Sequence, residues 1–181
     1  MPGHKDLFGF RSWYMDAFEP PPGARILDLG GYVGATAIHY AKKGHEVVTV
    51  EGAQEYIDQM RLNIAAAGDE VAQRITPVCC LFENFDGTGY NEMGFQACTC
   101  TEVLNLVQDP ARVLQVAHRF LDDGGLLFVT VTLRRLRTSV RSYSTKELKD
   151  AVEQAGFDVK SCAEWDDGTH QPQIICRGHK V

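Results

Sequence analysis

What this 181-residue sequence lacks argues against several classes of protein. No apolar run approaches the ~20 residues that a membrane-spanning helix needs. The six cysteines form no paired C-x-x-C knuckles, so their spacing predicts no metal site. The first residues lack the apolar stretch of a secretory signal. We therefore expect a cytoplasmic protein whose reduced cysteines act mostly as small apolar residues.

The composition is that of an ordinary globular domain. Hydrophobic residues make up 44% and charged residues 23% of the chain, which is close to the average for such proteins. The length suits one domain over 1–181, with an N-terminal helix or lid over 1–22 and a core over 23–178. The net charge of −6 argues against a surface devoted to nucleic acid. The oligomeric state is not indicated.

Short β-prone runs alternate with amphipathic helical stretches along the chain, the pattern of a mostly parallel sheet covered by helices. We predict an α/β, doubly wound sheet of about seven strands with an antiparallel last strand. A turn is predicted at 122–125 and a hairpin turn at 166–169. The predicted strands are 25–29, 46–50, 75–79, 95–100, 126–133, 157–163 and 173–176, and the predicted helices are 5–18, 34–43, 53–67, one from 109 and one from 144.

A glycine-rich turn between the first strand and its helix is the strongest functional signal. The segment reads Ile26-Leu-Asp-Leu-Gly-Gly-Tyr-Val-Gly34. Glycine lets the backbone adopt positive φ and pass close to a ligand, and a helix N-terminus offers unpaired N–H groups. Glu51 ends the second strand, where a carboxylate can accept hydrogen bonds from both ribose hydroxyls of an adenosine. The turn and Glu51 together favour an adenosine-containing ligand.

With these motifs in order, the sequence resembles the class I S-adenosylmethionine-dependent methyltransferases over about 23–177. Residues 26–34 resemble the family's D-x-G-x-G-x-G motif, and 48–51 resemble the strand that ends in the ribose acid. Residues 118–127 are similar to its helix, turn and fifth strand, and 144–157 to its late helix running into strand six. The resemblance implies a Rossmann-like fold, S-adenosyl-L-methionine as cofactor, and in-line methyl transfer governed mainly by positioning.

The resemblance also implies roles for single residues. The glycines of the turn would let the backbone approach the methionine part of the cofactor, near Asp28, while Glu51 would hold the ribose. Gly52 and Ala53 would lie beside the adenine edge. The full set implied to bind cofactor is Asp28, Gly30, Gly31, Tyr32, Gly34, Glu51, Gly52, Ala53, Leu81, Phe82, Cys100 and Thr101.

Two positions depart from the family pattern. Tyr32 replaces the middle glycine; it would fit with a negative φ and its ring outside the cleft, or it would reach over the cofactor as a lid. Cys80 stands where many members carry an aspartate for the adenine amino group. A backbone carbonyl or Glu83 could take over that contact.

The acceptor is predicted to be a small molecule or an exposed group, which could be anionic. Glu102 is the candidate general base for an alcohol acceptor, or a helix-start glutamate that interacts with the helix dipole. Arg134 and Arg137 could bind a carboxylate or phosphate, including an RNA phosphate, or belong to a solvated loop. Tyr14 could close over the acceptor.

Three other functions stay open. A nicotinamide-dependent dehydrogenase shares the first elements, but 30–34 does not supply G-x-G-x-x-G. Tyr32 and Cys80 are the features that favour a catalytically degenerate partner protein. A transferase or lyase that uses the same sulfonium cofactor differently is the third.

Overall fold

The computed structural model describes residues 15–87, 94–133, 140–166 and 172–181. Its centre is one seven-stranded sheet in the order β3-β2-β1-β4-β5-β7-β6. All strands run parallel except β7, which is antiparallel to both of its neighbours. The predicted fold class is therefore confirmed. The strands are β1 (Arg25–Leu29), β2 (Glu46–Glu51), β3 (Ile75–Cys79), β4 (Phe95–Thr101), β5 (Leu121–Thr132), β6 (Phe157–Trp165) and β7 (Gln173–Lys180).

Helices cover the sheet, and their starts follow local sequence rules. The Asp109 side chain accepts a hydrogen bond from the backbone N–H of Arg112, and Ser144 and Glu147 form the predicted capping box. No helix in the described part of the chain is long and apolar enough to cross a membrane. The helices are α1 (Ala35–Lys42), α2 (Gln54–Ala66), α3 (Asp69–Ala72), α4 (Pro110–Phe120) and α5 (Thr145–Gln154), with a 3-10 turn at Phe82–Asn84.

The central strands are buried on both faces, as a parallel sheet covered by helices requires. Ile26 belongs to the hydrophobic cluster on one face and Leu27 to that on the other. Of the predicted N-terminal helix, only its last residues are described. Phe18 stacks on Phe128 with ring centroids 4.8 Å apart, and the Tyr40 hydroxyl donates to the Met15 carbonyl at 3.2 Å.

The sequence predicted a turn at 122–125 before the fifth strand, but the structure includes these residues in that strand. Residues 121–125 are extended and form the start of β5. The four residues of β5 between Leu121 and Leu126 face a single residue of β4, Gln96, so the register shifts there. Gly124 has a φ of 75° within this irregular stretch, which glycine adopts without strain.

The sheet ends in two different edge strands. β3 lies at one edge and contains Pro77. β6 lies at the other, and its pairing with β7 shifts register between Val159 and Ser161, around Lys160.

Candidate functional site

A cavity of about 530 Å³ opens at the carboxyl ends of the parallel strands. It lies where the strand order reverses, since β1 has β2 on one side and β4 on the other. Open α/β sheets bind ligands at this point, and the volume lies within the range of about 300–1,000 Å³ usual for small-molecule sites. Its lining residues are Gly30, Tyr32, Glu51, Tyr56, Phe82, Thr101, Glu102, Val103, Asn105, Leu106, Val107 and Thr132.

The predicted glycine turn forms one wall of this cavity, but two of its glycines serve the packing behind the wall. A Cβ on Gly31 would lie 1.9 Å from the Thr49 hydroxyl oxygen, and one on Gly34 would lie 2.8 Å from Met60. Gly30 does line the cavity, and Val103 packs directly against it. Gly31 and Gly34 therefore allow α2 to approach the turn, and Gly30 allows Val103 to do so, since a Cβ on Gly30 would lie 2.1 Å from the Val103 side chain.

Glu51 lies at the mouth of the cavity, at the end of β2. One carboxylate oxygen accepts from the Tyr32 backbone N–H and the other from the Ala53 backbone N–H, each at 3.0 Å. Each oxygen of a carboxylate has a second lone pair. Glu51 is thus held in place by the turn and keeps acceptor capacity for two further donors.

Tyr32 lies in the cavity wall with a φ of 48°. The expectation of a negative φ with the ring outside the cleft is therefore wrong, because the turn keeps a left-handed residue at this point. For a residue with a side chain that conformation costs about 1–2 kcal/mol. The Tyr32 ring packs edge-on against the Tyr56 ring, with centroids 4.5 Å apart. Both rings line the cavity.

Asp28 lies behind the turn and is fully buried. Its two carboxylate oxygens accept from the Thr99 and Thr49 hydroxyls at 2.8 and 2.9 Å. These threonines are its register partners on the two neighbouring strands. The resemblance implies a contact between Asp28 and the methionine amino group. The Asp28 carboxylate itself joins β1 to both neighbouring strands. The backbone around Asp28 would therefore have to make that contact.

The predicted adenine end lies beside the 3-10 turn after β3. Phe82 lines the cavity, and Leu81 is 57% exposed with its methyl group packed over Gly52. Cys80 carries a thiol where many members of the family carry an aspartate. Burial raises the pKa of this thiol. Ala53 contributes its backbone N–H to Glu51.

At the acceptor end, Thr101 and Glu102 line the cavity, whereas Cys100 is fully buried in the core. Glu102 has a φ of 59°, a strained backbone that costs on the order of 1–3 kcal/mol. Its N–H donates to the Thr130 carbonyl at 2.8 Å. Its side-chain Oε1 accepts from Gln173 Nε2 at 2.5 Å, a partner that the sequence analysis missed.

Asn105, also missed, joins two loops beside the cavity. Its Oδ1 accepts from the Thr132 N–H at 3.1 Å, and its Nδ2 donates to the Arg141 carbonyl at 3.2 Å. Its own carbonyl accepts from the Val140 N–H at 2.8 Å. Asn105 therefore links Thr132, the last residue of β5, to Val140 and Arg141.

Three predicted substrate residues, Tyr14, Arg134 and Arg137, lie outside the described residues. Among the described residues, no group of three or more His, Cys, Asp and Glu is placed to hold a metal ion. A larger cavity of about 640 Å³ lies between α4 and α5. It contains neither the glycine turn nor Glu51, so it is separate from the site described above.

The strand order, the turn at the switch point and the acid that ends β2 define a Rossmann-like nucleotide-binding protein. A family model described as a methyltransferase domain matches residues 9–161. The chain belongs to this family, the class I S-adenosylmethionine-dependent methyltransferases. S-adenosylmethionine is the cofactor expected of its members.

Individual relatives agree with this assignment. The ubiquinone biosynthesis O-methyltransferase of Xanthomonas axonopodis pv. citri (strain 306) is 33% identical over 122 residues, 67% of this chain and 48% of that protein. The chain thus spans about half the length of the curated relatives it matches.

Two solved structures share the fold at low sequence identity. The glycopeptide N-methyltransferase MtfA with bound S-adenosylmethionine superposes with a TM-score of 0.74 at 13% identity, covering 93% of this chain and 91% of that one. The cyclase SpnF superposes with a TM-score of 0.76 at 16% identity, covering 97% of this chain and 78% of that one. The fold is therefore shared by proteins with different reactions.

Proposed function

We propose that this protein transfers the methyl group of S-adenosylmethionine to a small-molecule acceptor in the cytoplasm. The observation that carries the proposal is the Glu51 carboxylate, held by two backbone N–H groups at the mouth of the cavity. Family membership supports it. The chain spans only about half of the length of its curated relatives. Their activities therefore support the type of reaction and do not identify the acceptor.

The residues of the cavity fit the adenosine part of the cofactor. The free lone pairs of Glu51 suit the two ribose hydroxyls, and the rings of Phe82, Tyr56 and Tyr32 suit the adenine faces. Gly30 and Val103 line the part of the cavity that would take the methionine part. When bound, the cofactor supplies an electrophilic methyl group on a sulfonium leaving group. The protein's task is then to orient the acceptor in line with that methyl and to exclude water.

The acceptor end of the cavity favours a hydroxyl acceptor. An alcohol or phenol is a poor nucleophile until it loses its proton, so a carboxylate within reach aids the transfer. Glu102 is the only carboxylate besides Glu51 among the described residues that line the cavity. We therefore assign to Glu102 the role of accepting the hydroxyl proton of the acceptor. The O-methyltransferase relatives are consistent with this chemistry. Tyr14, Arg134 and Arg137 complete the proposed acceptor site, and the arginines would admit an anionic acceptor.

Calorimetry with S-adenosylmethionine, S-adenosylhomocysteine and NAD tests the cofactor. We expect both sulfur nucleotides to bind and NAD to fail. The ribose contact is tested with a cycle in which Glu51→Ala is combined with the 2′-deoxy analogue of S-adenosylhomocysteine. Removing the hydroxyl should weaken binding about tenfold or more in the wild type and hardly at all in Glu51→Ala. Glu55→Ala, an exposed acid in the first turn of α2, is the matched control.

Two results separate this proposal from its alternatives. Binding of NAD without either sulfur nucleotide would place the chain among the dehydrogenases. Binding of the sulfur nucleotides without label transfer from methyl-labelled cofactor to any hydroxyl, amine or thiol acceptor would favour a non-catalytic partner protein.

A further inference from the structure

Gln173, the first residue of β7, is 1% exposed and yet directs its amide to a carboxylate in the cavity. The geometry follows from the antiparallel insertion of β7. Because β7 runs against β5, its first residue pairs with Thr132, at the edge where the parallel strands end. A glutamine 71 positions away in sequence is thereby brought to Glu102.

The orientation of the Gln173 amide is fixed by chemistry. A carboxylate only accepts hydrogen bonds, so the Nε2 group must face Glu102 and the Oε1 atom must point away. That Oε1 atom is buried and finds no hydrogen-bond partner in the structure. A side chain kept for packing alone would avoid such a loss, and methionine would fill the same space without it. The amide is therefore retained for its bond to Glu102.

The backbone of Glu102 is also held. Its left-handed φ of 59° and its N–H bond to the Thr130 carbonyl direct the side chain toward the cavity. Gln173 then binds one carboxylate oxygen of Glu102. Backbone and side chain together give the carboxylate one defined direction.

We propose that Gln173 is a positioning residue that holds the Glu102 carboxylate in the orientation in which it accepts the proton of a hydroxyl acceptor. This inference rests on the proposed function. In the transfer, the acceptor oxygen bonds to the methyl carbon as the carbon–sulfur bond breaks, and the electron pair of that bond stays on sulfur. The hydroxyl proton passes to Glu102 and is later released to solvent.

The first test needs no acceptor. In nitrogen-15 NMR spectra of the full chain, the side-chain amide signals of Gln173, identified by their loss in Gln173→Met, should change position in Glu102→Gln, which removes the carboxylate that they contact. Signals that stay in place in Glu102→Gln would overturn the proposal.

The second test measures kcat and KM with methyl-labelled cofactor and catechol or simple phenols as acceptors. Gln173→Met should lose roughly tenfold to a hundredfold at neutral pH, the size of a hydrogen bond to a charged group. The loss should fall on kcat, with KM for the cofactor unchanged, because the contact orients the group that accepts the proton and does not touch the cofactor. Affinity for S-adenosylhomocysteine and resistance to urea should be unchanged or higher.

Ile175→Val is the matched control, since Ile175 is a buried residue two positions along the same strand without a carboxylate contact. An equal loss in Ile175→Val, or an unchanged kcat in Gln173→Met, would mean that Gln173 only supports β7. Failure of the wild type to bind either sulfur nucleotide would instead refute the proposed function, whatever the NMR spectra show.

Discussion

Substituting Thr99 by valine tests the reasoning about the buried Asp28 carboxylate most directly. The hydroxyl of Thr99 donates to Asp28 at 2.8 Å, and both residues are fully buried. Valine has nearly the same shape, so the change removes one donor and little else. A hydrogen bond to a charged group contributes about 1.5–3 kcal/mol. The buried carboxylate oxygen also loses a partner, so the cost should lie near the upper end.

Urea unfolding of the full chain measures this cost. We expect Thr99→Val to lower the free energy of unfolding by about 2–3 kcal/mol, which is roughly 1 M in the urea midpoint for a domain of this size. The melting temperature should fall by about 4–12 °C, at about 2–4 °C per kcal/mol.

Thr130→Val provides the matched control. Thr130 is also fully buried and lies on the next strand, but its hydroxyl oxygen has no hydrogen-bond partner in the structure. Removing an unsatisfied buried hydroxyl should leave stability unchanged or raise it. Equal losses in Thr99→Val and Thr130→Val would refute the view that the hydrogen bonds of Asp28 hold the three strands together.

The remaining predictions concern the turn and two helix or strand starts. Gly31→Ala should cost about 3 kcal/mol or more in urea unfolding, because its Cβ would collide with the Thr49 hydroxyl. Tyr32→Asn should leave stability unchanged or slightly higher, since asparagine tolerates left-handed backbone. It should weaken S-adenosylhomocysteine binding in calorimetry, and unchanged binding would mean that the Tyr32 ring does not contact the cofactor. Burial lowers the pKa of His45, so the unfolded chain takes up a proton before the folded one as the pH falls below about 6.5, and stability should drop there. His45→Phe should flatten that drop in urea midpoints taken between pH 8 and 5. Ser144→Ala should lower stability by about 1 kcal/mol through loss of the helix cap, and a midpoint equal to wild type would contradict it.

The features that could be predicted from the sequence are local. The strand, turn and helix around Gly30 and the acid Glu51 follow one another within a short segment, so their pattern predicts both the architecture and the place of the site. The mostly parallel sheet and its antiparallel last strand follow from the alternation of elements and the final hairpin, as the structure confirms.

What could not be predicted depends on which strands become neighbours. The two threonines on Asp28 and the bond from Gln173 to Glu102 join residues 21 to 71 positions apart. Strand register places them together, and no spacing in the sequence signals it. Pattern matching also suggested a negative φ for Tyr32, whereas the hydrogen bond from its N–H to Glu51 belongs to a turn that keeps it left-handed.

The two edges of the sheet bear on how copies of this protein meet. An exposed edge strand offers free backbone groups to which a second chain can add, which leads to aggregation. Pro77 gives β3 no N–H group at its centre, and the irregular pairing around Lys160 bends β6 and adds a charge. Sheet extension from molecule to molecule is thereby disfavoured at both ends.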